Sequence, residues 1–482
     1  MIGNRNHEDT KTPGGKPDGD APLAHGDIAI IGGGIVGCAL ARRMALEGAC
    51  VILIEKAADI LDGASKGNAA ILHTGFDAPA GSLEWKCVRR GYDEYLKIRE
   101  SLNLPVLETG ALVAAWTRGE EERLADILRQ AHDNGVGDAH PLSRSQVLAA
   151  EPNLGSRVRA AIAIPGEYVI DPWSAPLAYL LQAIGNGARA FFNAQVTGGV
   201  FDGARWCLTT TRGQVRATHV VNCAGLYGDH LDKSVLGAAA FTIKPRKGQF
   251  IVFDKAARGS LNSIILPVPG ERTKGILLCP TIFGNVMVGP TAEDQERRDD
   301  ASVDEETLRA LIARAIAMLP PLAGVPVTAA YAGIRPATER KEYRIVQNAG
   351  QNWITVGGIR STGLTAALGI ARHVHRLLSS RGAVFDPLEE PLSPRVPNLA
   401  EHLARDWERP GYGEIVCHCE MVTDREIRAA MEGPAPAGDL GGLKRRTRAT
   451  MGRCQGFYCS ARLAELTEGR FAEPLGVGPA HD

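Results

Sequence analysis

The sequence predicts an α/β fold with a parallel core sheet, an interleaved antiparallel sheet and a small helical module near the C-terminus. Three observations carry this. An apolar run, a glycine turn and a helical pattern follow one another twice, in "DIAIIGGGIVGCALARRMALEGACVILIEK" from Asp27 and in "WITVGGIRSTGLTAALGIARHVHRLL" from Trp353. Continuous apolar runs of this kind read as strands buried on both faces, as in parallel sheets. From Phe241 the texture changes to short β-rich segments separated by turn residues, which reads as antiparallel sheet. Beyond Ser380 the chain turns rich in proline and charge, and then places four of its ten cysteines in a short terminal stretch.

In chain order, residues 1–25 are polar and rich in Gly, Pro and charge, without the apolar centre of a signal peptide. They read as a disordered tail on a protein that is not exported. The first strand, Ile28–Ile31, runs into Gly32, Gly34 and Gly37, and a helix follows with Ala39, Leu40, Met44 and Ala45 on its apolar face. A second strand, Val51–Ile54, ends at Glu55. G-x-G-x-x-G between a strand and a helix, with an acid closing the next strand, predicts a Rossmann-like dinucleotide site. Gly32 permits the tight turn, Gly34 leaves room for a pyrophosphate, and Gly37 lets helix and strand pack closely. The helix N-terminus stabilises phosphate charge. Glu55 accepts from ribose hydroxyls and disfavours a 2′-phosphate. Spacing alone does not separate FAD from NAD. "HVVNCAG" at 219–225 and "VGGIRSTGLT" at 356–365 supply further glycine turns, and a long flavin must touch more than one.

"EEERLADILRQAHDNG" and "WSAPLAYLLQAIGNGA" read as helices. "GQFIVFD", "SIILPV" and "GILLCPTIFGNVMVGPT" read as strands, with a hairpin at Gly284-Asn285. The expected organisation is a redox domain over 26–385, a Pro-rich linker over 386–412, and a cysteine module over 413–472. A net charge of −1 argues against nucleic acid or an anionic membrane surface as partner. No apolar run reaches the roughly 18–20 residues of a membrane span. Cysteines 38, 50, 87, 207, 223 and 279 read as buried small hydrophobes in a reducing cytosol.

The glycine motif, "GASKGNAAILHTGFDAPAGSLE" at 63–84, "VVNCAGLYGD" at 220–229, "PRKGQF" at 245–250, "AGIRPATE" at 332–339 and "GIRSTGLT" at 358–365 occur in a telling order. Together they resemble FAD-dependent oxidoreductases of the D-amino-acid-oxidase superfamily. Within it they look most like glycerol-3-phosphate dehydrogenases and oxidases and the related L-2-hydroxyglutarate enzymes. The resemblance covers about residues 27–380. It implies flavin contacts at Ser65, Asn68, Ala224, Gly225, Gly358, Gly363, Leu364 and Thr365. It also implies a base at His73, whose ordinary pKa of about 6.5 suits neutral pH. Arg335 and Lys274, with Ser361 nearby, are implied to hold the anionic end of the substrate, and the planar fork of arginine suits a phosphate or carboxylate. Arg246 and Lys247 are further basic candidates, although Gly248 beside them reads as a turn. Where many relatives carry a serine before the histidine, this chain has Ala69-Ala70.

Cys417 and Cys419 form C-x-C, and Cys454 and Cys459 form C-x4-C after 34 intervening residues. Disulfides, structural zinc and a 2Fe–2S cluster compete for them. A reducing compartment argues against disulfides, and zinc sites more often space their ligands C-x2-C or C-x4-C on both sides. Thr423-x-x-Glu426 is a capping box, and "SARLAELTEG" starts at Cys459, so two helix N-termini would face an anionic cluster. Lys444, Arg445, Arg446 and Arg448 add positive charge or form a solvated face. The stretch resembles the bacterioferritin-associated-ferredoxin-like 2Fe–2S domain, and "LKRRTRATMGRCQGFYC" the end of the large subunits of anaerobic glycerol-3-phosphate dehydrogenases. The implied activity is oxidation of a small anionic alcohol, with electrons split singly through the cluster to an acceptor protein or a quinone-linked membrane partner. The expected location is cytoplasmic, with membrane association only through that partner. A 2-hydroxy acid, an amine or imino acid, and a redox-sensing flavoprotein without its own substrate are the alternatives.

Overall fold

Strand Ala24–Ile31 lies between Val51–Ile54 and Gly213–Asn222 and runs parallel to both. The computed structural model describes residues 23–270, 275–348 and 350–475. The first strand starts at Ala24 rather than near Asp27 because Ala24–Gly26 pair with Val215–Ala217 of the long neighbour. The tail expected over 1–25 therefore gives up its last residues to the sheet, and its remainder, 1–22, lies outside the described residues. Arg189–Phe191 and Trp353–Gly357 extend the sheet in parallel, while Val196–Phe201 and Trp206–Thr210 close one edge as an antiparallel pair. Arg344–Asn348 pairs antiparallel with Trp353–Gly357 at the other side, and eight strands result.

Helices Ile35–Leu46, Leu83–Leu102, Ser174–Gly185 and Gly363–Ser379 share the main apolar core on this sheet. Two glycines set how closely the second and fourth approach. A Cβ on Gly91 would stand 1.9 Å from the Thr365 carbonyl oxygen, and one on Gly369 would stand 2.0 Å from that of Cys87. The helix pair thereby fixes the segment after Leu72 against the start of the last helix.

The second sheet has nine strands and is almost wholly antiparallel. Its spine is Ile243–Phe253 against Val327–Thr338. "GQFIVFD" is the later half of that first strand, so Arg246, Lys247 and Gly248 lie in regular sheet. The turn read at Gly248 is absent because its backbone is paired with Gly333. The hairpin Leu277–Pro280 to Val286–Gly289 turns at Gly284, whose φ of +83° is the left-handed conformation glycine tolerates. Lys274 lies outside the described residues. Cys38, Cys87, Cys223 and Cys279 are buried as expected, whereas Cys50 is exposed.

After the last long helix the chain runs across the surface of both sheets. Leu388 N–H donates to Leu46 (3.0 Å), Val396 N–H to Leu102 (3.1 Å) and Glu401 N–H to Ile282 (3.0 Å), and Val396, Leu399 and Ala400 are buried. The cysteine segment then folds as a short hairpin, Ile415–Cys417 with Val422–Thr423, and helices Asp424–Ala430, Leu440–Thr447 and Ser460–Leu466 around a core of its own.

Candidate active site and cluster domain

One cavity of 1180 Å³ opens between the two sheets. At one end it is lined by Gly32, Gly34 and Glu55, and at the other by Arg246, Arg335 and Arg360. The glycine turn is built as its sequence demands. Gly32 has φ +112°, and a Cβ there would meet the Cys223 carbonyl oxygen at 2.5 Å. A Cβ on Gly37 would stand 1.9 Å from the Gly32 carbonyl oxygen, so helix and strand pack closer than any other residue allows. Gly34 caps the helix, and its missing side chain leaves space beside Ser65 Oγ, which accepts from Ile35 N–H (3.1 Å). The Glu55 carboxylate accepts from Gly33 N–H (2.5 Å) and Ala57 N–H (2.8 Å). Burial raises its pKa, against the pull of those amides.

Ser65, Asn68, Ala224, Gly225, Gly363 and Leu364 all line the cavity. Asn68 holds its own loop, donating to Ser65 O (2.9 Å) and accepting from Ala70 N–H (2.8 Å). Ala70 sits there at φ +58°, and Ala69 lines the cavity in the stretch where a serine was expected of relatives. Two predicted contacts are placed otherwise. Gly358, at φ +68°, packs against the backbone of Glu342 and is not among the lining residues. Thr365 is buried, and its Oγ1 accepts from His73 N–H (2.9 Å) and donates to Ile71 O (3.3 Å). It anchors the histidine segment.

His73 lines the cavity, with Nδ1 2.9 Å from Glu167 Oε2. Ser361 is exposed at the same wall. Arg335 donates to Thr291 O (3.3 Å). A Cβ on Gly248 would stand 2.4 Å from its Nη2, so this glycine makes room for the guanidinium. Burial, and then Arg246 and Arg360 close by, lowers its pKa to about 10, still charged at neutral pH. Register places Arg246 directly opposite Arg335. Among the described residues Arg246 pairs with the exposed Asp294 (3.4 Å), Glu293 faces Arg335, and Arg360 donates to Lys341 O (2.6 Å). Cations held together with so little compensating acid create a site for an anion. Arg360 joins this group unannounced by the sequence, where its place in the second glycine turn is the signal available.

The four C-terminal cysteines stand two by two. Cys419 and Cys454 are within hydrogen-bonding reach of each other, and so are Cys417 and Cys459. Among the described residues no three His, Cys, Asp or Glu side chains converge on one ion position. Two pairs of thiols suit a two-iron cluster better than a single tetrahedral ion. Backbone amides of Tyr458, Gly456 and Phe457 lower the Cys454 pKa, and so favour its thiolate. The Thr423/Glu426 capping box forms, and Cys459 caps the last helix.

The basic run does not form a solvated face. Arg446 Nη1 and Nη2 grip both oxygens of Asp59 (2.5 and 2.8 Å), Arg445 donates to Ile60 O (2.9 Å), and Arg448 pairs with Glu420 (2.8 Å) while stacking on Phe283. Arg453 pairs with Asp254, and Gln455 donates to Thr328 O (2.7 Å). The run therefore clamps the cysteine domain onto both sheets. Lys444 alone is left near a thiol, that of Cys459.

Residues 27–377 match the FAD dependent oxidoreductase family, and 415–468 the BFD-like 2Fe-2S binding domain. A glycerol 3-phosphate dehydrogenase of Caloramator mitchellensis is 32% identical over 464 residues, covering 94% of this chain and 95% of that protein. One subunit of the anaerobic glycerol-3-phosphate dehydrogenase of Escherichia coli is 26% identical, covering 92% of this chain and 88% of that protein. The structure of L-alpha-glycerophosphate oxidase from Mycoplasma pneumoniae with FAD bound superposes with a TM-score of 0.71 at 26% identity, covering 78% of this chain and 99% of that one. FAD is the cofactor of the large domain and a 2Fe–2S cluster that of the small one, and the residues present fit both. The glycine cradle and Glu55 suit the adenosine and pyrophosphate, and the four paired thiols suit the cluster. The chain belongs to the FAD dependent oxidoreductase family, with a BFD-like 2Fe–2S domain clamped to it by Arg446 and Arg453.

Proposed function

We propose that the protein oxidises sn-glycerol 3-phosphate to dihydroxyacetone phosphate and passes the electrons to an acceptor protein. The observation that carries this reading is a histidine and three arginines on the wall of one cavity that also holds the dinucleotide turn. Arg335, with Arg246 and Arg360, holds the phosphate. Ser361, and Lys274 on the strength of the sequence resemblance, complete that end. His73 takes the hydroxyl proton as the carbon gives up its hydride. When bound, FAD supplies the hydride acceptor and the cluster a one-electron outlet. The thiolates of Cys417, Cys419, Cys454 and Cys459 hold that cluster. The Escherichia coli relative is itself one subunit of a larger enzyme, which supports an acceptor on a separate chain. A quinone-linked membrane partner is the acceptor we favour. Among the described residues no helix is long and apolar enough to cross a membrane, so the anchor in this reading belongs to that partner.

Anaerobic mixing with sn-glycerol 3-phosphate, glycerol and L-2-hydroxyglutarate tests the substrate. Bleaching of the flavin by the phosphate alone is expected. Equal bleaching by glycerol removes the role of the arginines, and bleaching only by the hydroxy acid moves the protein to that chemistry. Cys454→Ser is expected to remove the iron absorbance and leave substrate bleaching intact. Zinc in place of iron after anaerobic preparation would end the electron-outlet reading.

A further inference from the structure

Glu167 has no part in the chemistry described so far, yet it stands directly behind the cavity-lining His73. Its side chain is fully buried. Strand pairing puts it there. Leu72 is opposite Tyr168 in the antiparallel pair Ile71–Leu72 with Tyr168–Ile170, so the next residue along one strand, His73, meets the preceding residue of the other, Glu167. The turn is held by Glu167 N–H donating to Ile164 O (3.3 Å) and by Tyr92 OH donating to Gly166 O (2.8 Å). Three groups approach the carboxylate. Thr74 N–H (2.6 Å) and Thr74 Oγ1 (2.8 Å) both donate to Oε1, and His73 Nδ1 lies 2.9 Å from Oε2.

A carboxylate only accepts, so Nδ1 must carry its proton to satisfy this contact. A neutral imidazole then has its lone pair on Nε2, which has no protein partner among the described residues. Since the ring lines the cavity, that lone pair is available to a substrate hydroxyl. We propose that Glu167 is the positioning residue that fixes His73 as the Nδ1–H tautomer and so presents Nε2 as the proton acceptor. This inference rests on the reading of His73 as the base.

The arrangement makes Glu167→Gln a specific test. The Thr74 amide is an obligate donor, so the glutamine must turn its carbonyl toward Thr74. Its NH2 then faces His73 Nδ1. Two donors cannot share that contact, so Nδ1 must become the acceptor and Nε2 must carry the proton. The ring is reversed with its position unchanged. A reversed ring cannot take the hydroxyl proton, and the same kind of carboxylate-to-amide exchange beside a catalytic histidine is strongly damaging elsewhere for this reason.

The experiment uses the FAD-containing full-length protein labelled with 15N-histidine. Long-range 1H–15N correlation distinguishes protonated from bare ring nitrogens, and the His73 pattern among the 12 histidines is assigned by its loss in His73→Asn. The wild type is expected to show a protonated Nδ1 and a bare Nε2. A bare Nδ1 in the wild type overturns the proposal without need of any variant. Glu167→Gln is expected to reverse the pattern and slow anaerobic flavin reduction by at least about tenfold, with the substrate concentration for half-saturation within about twofold. A glutamine variant that keeps the wild-type ring pattern overturns the proposal and leaves His73 standing as the base. A reversed ring with an unchanged reduction rate overturns it differently, by removing His73 from the chemistry.

Discussion

His73→Asn is expected to slow flavin reduction by substrate about 10²–10⁴-fold, the range supplied by a positioned general base. The backbone bond from His73 N–H to Thr365 Oγ1 survives the exchange, so the segment stays in place. The FAD cradle, formed by Gly32, Gly34 and Glu55 at the other end of the cavity, is untouched. Asparagine can still face Glu167, but it offers no nitrogen that accepts a proton at neutral pH. Arg335→Ala is expected to act on the other parameter. A charge-assisted hydrogen bond lost on one side costs about 1.5–3 kcal/mol, so KM should rise at least about tenfold, with a smaller change in the limiting rate. Arg246 and Arg360 remain to attract the anion. Stopped-flow absorbance with sn-glycerol 3-phosphate separates the two variants. A His73→Asn protein that bleaches within a few-fold of wild type would show that the proton goes elsewhere.

The parts legible in the sequence were those encoded by local pattern. The turn through Gly32, Gly34 and Gly37, the acid at Glu55 and the Gly284 hairpin each sit within a short window whose spacing dictates geometry, whereas the cysteines meet across their two motifs, Cys419 with Cys454 and Cys417 with Cys459. What escaped depends on register between distant segments. Glu167 reaches His73 only because Leu72 pairs with Tyr168, and nothing within either stretch announces that pairing. In the sequence Gly248 reads as a turn beside Arg246. In the sheet that glycine instead yields space to the Arg335 guanidinium, a requirement that exists only once two strands are opposed. The basic run escapes sequence reading for a related reason. Charge clustered along a chain cannot say which residues meet buried acids, and Asp59 lies 387 residues from Arg446.

That ion pair sets the second large expectation. Asp59 and Arg446 are both buried, and Gly438 N–H and Ile60 N–H also donate to the carboxylate. Close packing keeps water out: a Cβ on Gly442 would stand 1.7 Å from Asp59 Oδ2. Asp59→Ala leaves a buried guanidinium without its acid, and breaking such a pair from one side costs about 3–5 kcal/mol. Where that cost falls on the contact between domains, it is about 10²–10⁴-fold in the docked population. Each domain keeps its own core, so both cofactors should remain bound. Arg445 to Ile60 O, Arg448 over Phe283, Lys255 with Glu420, Arg453 with Asp254 and Gln455 to Thr328 O remain across the contact, but none is a fully buried ion pair bonded through both carboxylate oxygens, so none replaces the lost clamp. Substrate should therefore still bleach the flavin at the wild-type rate, while electrons reach the cluster far more slowly. Rapid-freeze electron paramagnetic resonance of the reduced cluster, taken alongside flavin absorbance, reads the two events separately. Cluster reduction keeping pace with flavin bleaching in Asp59→Ala would mean that the clamp through Arg446 is dispensable for electron transfer. Asp59→Glu, which keeps the charge but lengthens the arm, should fall between the two.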